Sequence, residues 1–403
     1  MKKNVIQLFS VAIVLSMAFF VSCSDSDDLQ KVIEPEKKIS LSITSSPATR
    51  GANGSSAIGV VPIVNDLTIY FLSNSMVVHY ERVDADESGS VPGEMTFNIP
   101  QSSDKVIVFG NQSGALDSDM IFAKGTSVSD LMKFPISLDK HHNLSPNSVF
   151  VYGDSFVTAV ADGSCSANIV LLPSLSRIEI GGVESSLSSR YFVSSYTLSG
   201  IYIGNTYESL GLDQKTVVDE PSNVINYRGS SEVWTDGGSY PAPFHDIITD
   251  VTRSGMKVSP AAPADLWSYY VHPLKDNAPT FDGMHYNLVP NIILRLCDVR
   301  VEGRSDIIKE SFLTVSRFVN SSTREDIKSF ERGKVYSISS ISFGGEHLSL
   351  RAGYSPDIIT PSPSDDPNNP SIPPAPPVPS GPEVFVTVVV SDWLLNSIET
   401  ELI

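Results

Sequence analysis

Between Ile39 and Phe343 apolar residues come in short runs rich in Val, Ile, Tyr, Phe and Thr, separated by clusters of Gly, Asn, Asp, Ser and Pro. Runs of this length with turn-forming punctuation read as β-strands. The clearest cover residues 67–72, 76–83, 95–99, 106–109, 168–172, 177–180, 196–203, 291–297 and 335–343. A helical period is scarce. It predicts a short helix over 128–134 and another over 322–331, each opening near a Ser or Thr able to cap exposed amide groups. The pattern therefore predicts an all-β chain of β-sandwiches, with helices as decoration.

Two stretches near the ends alternate most strictly. In residues 39–44, Ile39, Leu41 and Ile43 share one face of an extended strand, while Ser40, Ser42 and Thr44 share the other. In residues 384–390, Val384, Val386, Val388 and Val390 make one wholly apolar face, and the single polar residue, Thr387, lies opposite. Strands so alike in pattern suit similar grooves. Between the first of them and the folded body lies a small-residue tract, 45–56, whose one cation is Arg50, followed by Gly51. A trypsin-like protease would cut there. Removal of Ile39, Leu41 and Ile43 by such a cut would open a groove that the 384–390 strand of another copy can enter. Each buried valine would contribute about 1.5 to 3 kcal/mol, and the added strand would also satisfy exposed edge groups. The alternative is that 384–390 belongs to its own chain's sheet and that Arg50 is an ordinary loop residue.

The extreme N-terminus is of a different kind. Lys2 and Lys3 precede an apolar run over 5–21 that ends at Ser22-Cys23, with Asp25, Asp27 and Asp28 directly behind. This is the layout of a signal peptide, and the run is slightly short for a membrane span. Phe20-Val21-Ser22-Cys23 resembles a lipobox, with Phe20 where Leu is usual, so Cys23 is expected to carry lipid. Two or three acyl chains, at about 0.8 kcal/mol per buried methylene, would hold the precursor in a bilayer. The tract 24–28 resembles the short acidic signal that routes lipoproteins of Bacteroidia to the outer face of the outer membrane.

After the signal, roughly 380 residues remain, which suits two cores rather than one. Gly181 to Arg190, rich in Gly and Ser, breaks the strand rhythm and marks the expected boundary. From Tyr354 to Pro382 prolines accumulate, including Pro373, Pro374, Pro376, Pro377 and Pro379. About 20 residues of extended polyproline conformation at ~3.1 Å each reach about 60 Å. The expected layout is a signal peptide over 1–22, a lipidated propeptide with a removable strand over 23–50, sandwiches over 51–182 and 183–353, a linker over 354–382 and a terminal strand over 383–403.

Charge and chemistry narrow the function. The net charge of −18 argues against nucleic acid and against anionic lipid surfaces as partners. Cys165 and Cys297 each lie in an apolar run and read as free thiols in separate domains. No nucleophile elbow, zinc-protease helix, phosphate loop or metal-spaced cysteine pair occurs. His141 and His142 read as solvated loop residues, and Asp154, Ser155, Asp365 and Asp366 as turn and linker chemistry. No catalytic residue, metal site or cofactor is assigned, so no enzyme is expected.

Several short lines, taken in order, resemble a known family: the lipoprotein start, Thr49-Arg50-Gly51-Ala52, the strand 105–111 ending in Asn111, the segment 172–180 with Arg177 before an apolar strand, 333–336, and 386–393 closed by Trp393. Together these resemble the fimbrillins of the type V pili of Bacteroidia, and the likeness covers most of the chain. It implies two transthyretin-like β-sandwiches and a C-terminal donor strand, lipid-dependent export and cleavage by an arginine-specific protease at Arg50. It also implies polymerisation with other copies and accessory fimbrial subunits by donor-strand exchange, into a surface fimbria that supports adhesion. Val384, Val386, Val388, Val390 and Trp393 match the donor strand. The long Pro-rich linker departs from the family's stalk subunits and fits a variant stalk or a subunit joining an adhesive tip to the shaft, and a tip or anchor fimbrial subunit is an alternative. A surface glycan-binding lipoprotein is the remaining one.

Overall fold

The computed structural model describes residues 35–44, 63–86, 91–112, 121–141, 144, 148–161, 164–204, 206–215, 224–225, 245–248, 252–253, 257–260, 266–273, 289–350 and 385–392. Two sheets come from the first half of the chain. One contains, in order, β4 (Glu94–Pro100), β1 (Glu36–Thr44), β9 (Cys165–Val170) and β8 (Thr158–Ala159). The other contains β10 (Leu172–Pro173), β7 (Val151–Phe156), β5 (Lys105–Gly110), β2 (Asp66–Ser73) and β3 (Met76–Asp84). In the second half, one sheet runs β19 (Trp267–Val271), β11 (Ser176–Ile180), β23 (Lys334–Ile338), β25 (Phe385–Asp392), β22 (Arg317–Asn320). The other runs β17 (His245–Ile247), β13 (Val193–Gly204), β20 (Asn291–Val301), β21 (Ile308–Val315), with β18 (Thr252–Arg253) also on β13. The architecture is two tandem β-sandwiches. Short pairs complete it: β12 (Val183–Ser185) with β24 (Ile341–Phe343), β14 (Thr206–Tyr207) with β16 (Val224–Ile225), and β6 (Pro135–Ser137) with β15 (Ser209–Gly211). The β6–β15 pair links the two halves.

Local chemistry explains the turns. Asn74 and Ser75 both have positive φ, 50° and 64°, which is the conformation a two-residue β2–β3 hairpin needs to match strand twist. Asn111 leaves β5 at φ 58° and is buried. Its Nδ2 donates to the carbonyls of Ile63 (2.8 Å) and Val149 (3.0 Å), and its Oδ1 accepts from the Asn65 amide (2.9 Å). A side chain that ties three loops together accounts for an Asn at the end of that strand. At Gly153 any Cβ would lie 2.3 Å from the Val170 carbonyl oxygen, so the close approach of β7 to β9 requires glycine.

Three expectations need correction. Residues 322–331 form a turn rather than a helix. The Asn320 Oδ1 accepts from the amides of Ser322 (2.8 Å) and Thr323 (3.3 Å), and Arg324 takes φ 62°. Local side-chain acceptors of this kind compete with the helical ladder. β11, assigned to the first sandwich, pairs with β19 and β23 and so belongs to a sheet of the second. His141 is buried at the end of a one-turn helix α2 (Leu138–His141), which follows α1 (Val128–Met132) with its Ser127 cap. His142 lies outside the described residues.

Between the halves sits a polar cluster. Arg177 and Glu179 are 1% and 0% exposed, joined Nε to Oε1 at 2.9 Å, with the Tyr270 ring 5.2 Å from the guanidinium. Tyr270 donates its hydroxyl to the Leu144 carbonyl (3.1 Å) and stands edge-on to His141. His141 Nδ1 lies 2.7 Å from the Ser137 carbonyl, and Nε2 accepts from the Phe150 amide (3.4 Å). Both contacts want the neutral ring with its proton on Nδ1. Burial lowers the His141 pKa to about 4 and that of His272 to about 3, with His141 adding to the latter.

Two predictions follow from this cluster. Glu179→Gln, which removes the buried guanidinium's carboxylate partner, should lower stability by about 3–5 kcal/mol in urea unfolding. Because a depressed histidine pKa stabilises the fold above the unfolded value near 6.5 and is lost as pH falls, acidification to pH 5 should cost about 2 kcal/mol through His141. His141→Gln should flatten that slope between pH 6.5 and 5, as measured by urea titrations at each pH.

Candidate strand-exchange site

β1 is an interior strand formed by a segment close to the N-terminus. It pairs antiparallel with β4, from Glu36↔Pro100 to Ser42↔Glu94, and parallel with β9, from Ile39↔Cys165 to Thr44↔Val170. Residues 39–42 are therefore bonded on both edges. The sequence alternation is realised in three dimensions: Ile39, Leu41 and Ile43 are 0%, 1% and 3% exposed, while Lys38 and Ser40 face solvent. The register sets Cys165, Ala167 and Ile169 of β9 beside them, all buried, and on β4 the half-buried Met95 and Phe97. Lys37 Nζ donates to the Ser103 carbonyl (2.6 Å), and the Gln101 amide donates to the Pro35 carbonyl (2.8 Å), which fastens the entry of the strand. Burial of the three aliphatic side chains contributes about 5–9 kcal/mol, at roughly 1.5–3 kcal/mol each.

β25 occupies the second sandwich of its own chain. Phe385 to Val388 pair parallel with β22, and Val389 to Asp392 pair antiparallel with β23. Val388 is fully buried, whereas Thr387 and Val389 are exposed, in phase with the apolar face read from the sequence. The Ser321 amide donates to the Val388 carbonyl (2.9 Å). Val386 and Val390 stand at register positions opposite the buried Phe318 and Tyr336. Those two aromatics meet on Phe330, which stacks on Tyr336 at 3.7 Å and contacts Phe318 edge-on at 5.2 Å. The Tyr336 hydroxyl, its pKa raised by burial, accepts from the Glu331 amide (2.8 Å). Of the two sequence alternatives for this strand, the structure holds the one in which it lies in its own sheet.

Cys23, Arg50, Gly51, Val384 and Trp393 lie outside the described residues. Cys165 is buried and Cys297 half-buried, and both are free thiols. Among the described residues no three His, Cys, Asp or Glu side chains are grouped to hold a metal, and no helix is long and apolar enough to cross a membrane. Sequence reasoning did not reach Phe318, Phe330 and Tyr336 as the bed for the terminal strand. The apolar positions at 318 and 330 were open to view, but the turn that folds one back onto the other was hidden inside the supposed helix.

Solved structures share this architecture. A fimbrillin of Porphyromonas gingivalis superposes with a TM-score of 0.52 at 12% identity, covering 89% of this chain and 98% of that one. The chain has the fimbrillin fold. A candidate cell adhesion protein of Parabacteroides distasonis superposes with a TM-score of 0.50 at 14% identity, over 90% of this chain and 99% of that one. No family model matches the chain, and no curated protein sequence is significantly similar to it. Within the fimbrillin fold the β1 position is the test of packing: Leu41→Ala should cost about 2–4 kcal/mol in urea unfolding of the full-length chain, the usual effect of truncating a buried leucine.

Proposed function

We propose that this chain is a structural subunit of a surface fimbria, joined to its neighbours by protease-triggered strand exchange and supporting adhesion. The observation that carries the reading is β1: an interior strand, bonded on both edges and apolar on its buried face, supplied by the segment just ahead of the lone cation Arg50. An interior position that can be emptied by one cut leaves two rows of unpaired amide and carbonyl groups above an apolar floor. Such a groove recruits an extended strand, because main-chain bonds supply affinity and alternate side-chain pockets supply selectivity. The 384–390 strand carries the matching alternation.

In this reading residues 1–22 direct export, Cys23 holds the precursor in the outer membrane by its lipid, and an arginine-specific protease cuts between Arg50 and Gly51. The lipidated segment leaves with Ile39, Leu41 and Ile43. Val384, Val386, Val388 and Val390 of another copy, or of an accessory fimbrial subunit, then take their place, with Trp393 closing the end of the strand. The fimbrillin fold supports a fimbrial role, and the chemistry is assembly rather than catalysis. A place next to the tip is the second reading, favoured by the Pro-rich tract 354–382, which gives the terminal strand more slack than a stalk needs.

Purified precursor treated with an arginine-specific protease should form ladders that resist SDS without boiling. Arg50→Ala and a chain ending at Pro382 should both remain monomeric under the same treatment. Ladders from either variant would overturn the exchange mechanism.

A further inference from the structure

The segment 132–141 of the first half meets the second half through backbone and side chains together. Besides the β6–β15 ladder, from Ser137↔Ser209 to Pro135↔Gly211, the amides of Leu212 and Asp213 donate to the carbonyls of Phe134 (3.1 Å) and Met132 (2.8 Å). The Leu138 amide donates to the Glu208 carbonyl (2.9 Å). On the side of the second sandwich, β19 brings two rings to this joint. Tyr270 holds the Leu144 carbonyl and stands edge-on to His141. His272, one residue beyond the strand and 3% exposed, lies against the backbone of Ile136 and Glu208, one from each half. Its Nε2 is buried with no hydrogen-bond partner among the described residues, and it is close enough to His141 for the two rings to repel when charged.

The charges around these rings leave little room for more cations. On β11 the Arg177 guanidinium is matched by Glu179, and a second guanidinium, Arg332, crosses between the halves to lie 3.8 Å from the centre of the Tyr152 ring. Burial raises the Tyr270 hydroxyl, so it stays neutral. On α2 Asp139 is exposed and Lys140 half-buried, and Glu208 is half-buried. No carboxylate offsets the burial of either imidazole. Protonating both rings would therefore add two positive charges to a joint whose two guanidiniums have one fully buried carboxylate between them.

We infer that the joint between the sandwiches is an acid-released latch: protonation of His141 and His272 frees the segment 135–141 from β15 and β19 while each sandwich stays folded, the halves remaining connected through residues 173–176. The placement of the rings confines the effect. His141 sits in α2 and His272 beyond the end of β19, and the strands β2, β5, β13, β20 and β21 contain no histidine. Exposed to water, both rings would protonate near pH 6.5, whereas burial holds them at about 4 and about 3 in the closed joint. Closure is thus favoured above pH 6.5 and loses support as pH falls. Between pH 6 and pH 4.5 each unit favours the open joint about tenfold per ring, or about a hundredfold for the two together. Neither β1 nor β25 contributes a residue to the joint, so the latch is independent of strand exchange.

Amide hydrogen exchange of the full-length chain, corrected for the intrinsic effect of pH, reads this opening. Peptides covering 134–141 and 206–213 should lose protection from pH 6 to pH 4.5, with the logarithm of opening rising by about two per pH unit, one proton for each ring. Peptides covering β2 and β20 should keep theirs. His141→Gln and His272→Gln should each halve the slope, and the double variant should abolish it. If a variant does not fold, the slope of the unaltered chain still decides, and a value below one at the joint overturns the latch. It is overturned equally if β2 and β20 lose protection in step with the joint, which would make the transition whole-chain unfolding, or if the steep slope persists in the double variant.

Discussion

A strand in the middle of a sheet must have backbone partners on both edges, and that requirement organises this molecule. A buried amide or carbonyl without a partner costs about 1–3 kcal/mol, so an interior position cannot stay empty without exposing a row of such groups to water or to another chain. The first sandwich fills its interior position with β1, a segment that precedes the other described strands in sequence, is hydrogen-bonded through β4, β9 and the Lys37, Pro35 and Ile43 contacts, and buries Ile39, Leu41 and Ile43 in the core. The rest of the sandwich, β2, β3, β5, β7 and β10, forms a separate sheet that does not depend on β1 for its ladder. The division of labour is therefore uneven: one sheet forms its ladder without β1, and the other is completed by the segment 36–44.

The second sandwich meets the same requirement differently. β11 and β23 are parallel neighbours within a mixed sheet, and β25 continues the sheet to β22 by changing partner halfway along its length. Among the described strands the sheet is continuous through that change of partner. Between the sandwiches the buried Arg177–Glu179 pair, Tyr270 and His141 replace a dry junction with a polar one, whose groups are partnered by one another or by nearby backbone. Such a junction specifies a single arrangement at a cost in desolvation.

Much of this was legible in the residues. Strict alternation at Ile39, Leu41 and Ile43 needs no tertiary information to announce a strand with one buried face, and the same holds for Val388 between Thr387 and Val389. The fold class followed from strand length and turn chemistry alone. What was hidden depended on contacts distant in sequence. Nothing in residues 177–180 tells which sandwich their strand will join, because parallel pairing with β23 spans most of the second half. His141 looked like a polar loop residue, since its burial is decided by Phe150 and Tyr270 arriving from elsewhere. The supposed helix over 322–331 failed for a local reason, the Asn320 side chain capturing two amides, which a helical pattern of apolar positions does not report.

The pairing of β1 has a mechanical side. Bonded along both edges, a strand in that position resists a pull along its own axis by loading every rung of two ladders at once, whereas a strand peeled from one end yields rung by rung. Whatever occupies the slot between β4 and β9 is thus seated in the orientation in which sheets bear tension best. β25 changes ladder partner halfway along its length, so among the described strands its two halves share the load between β22 and β23.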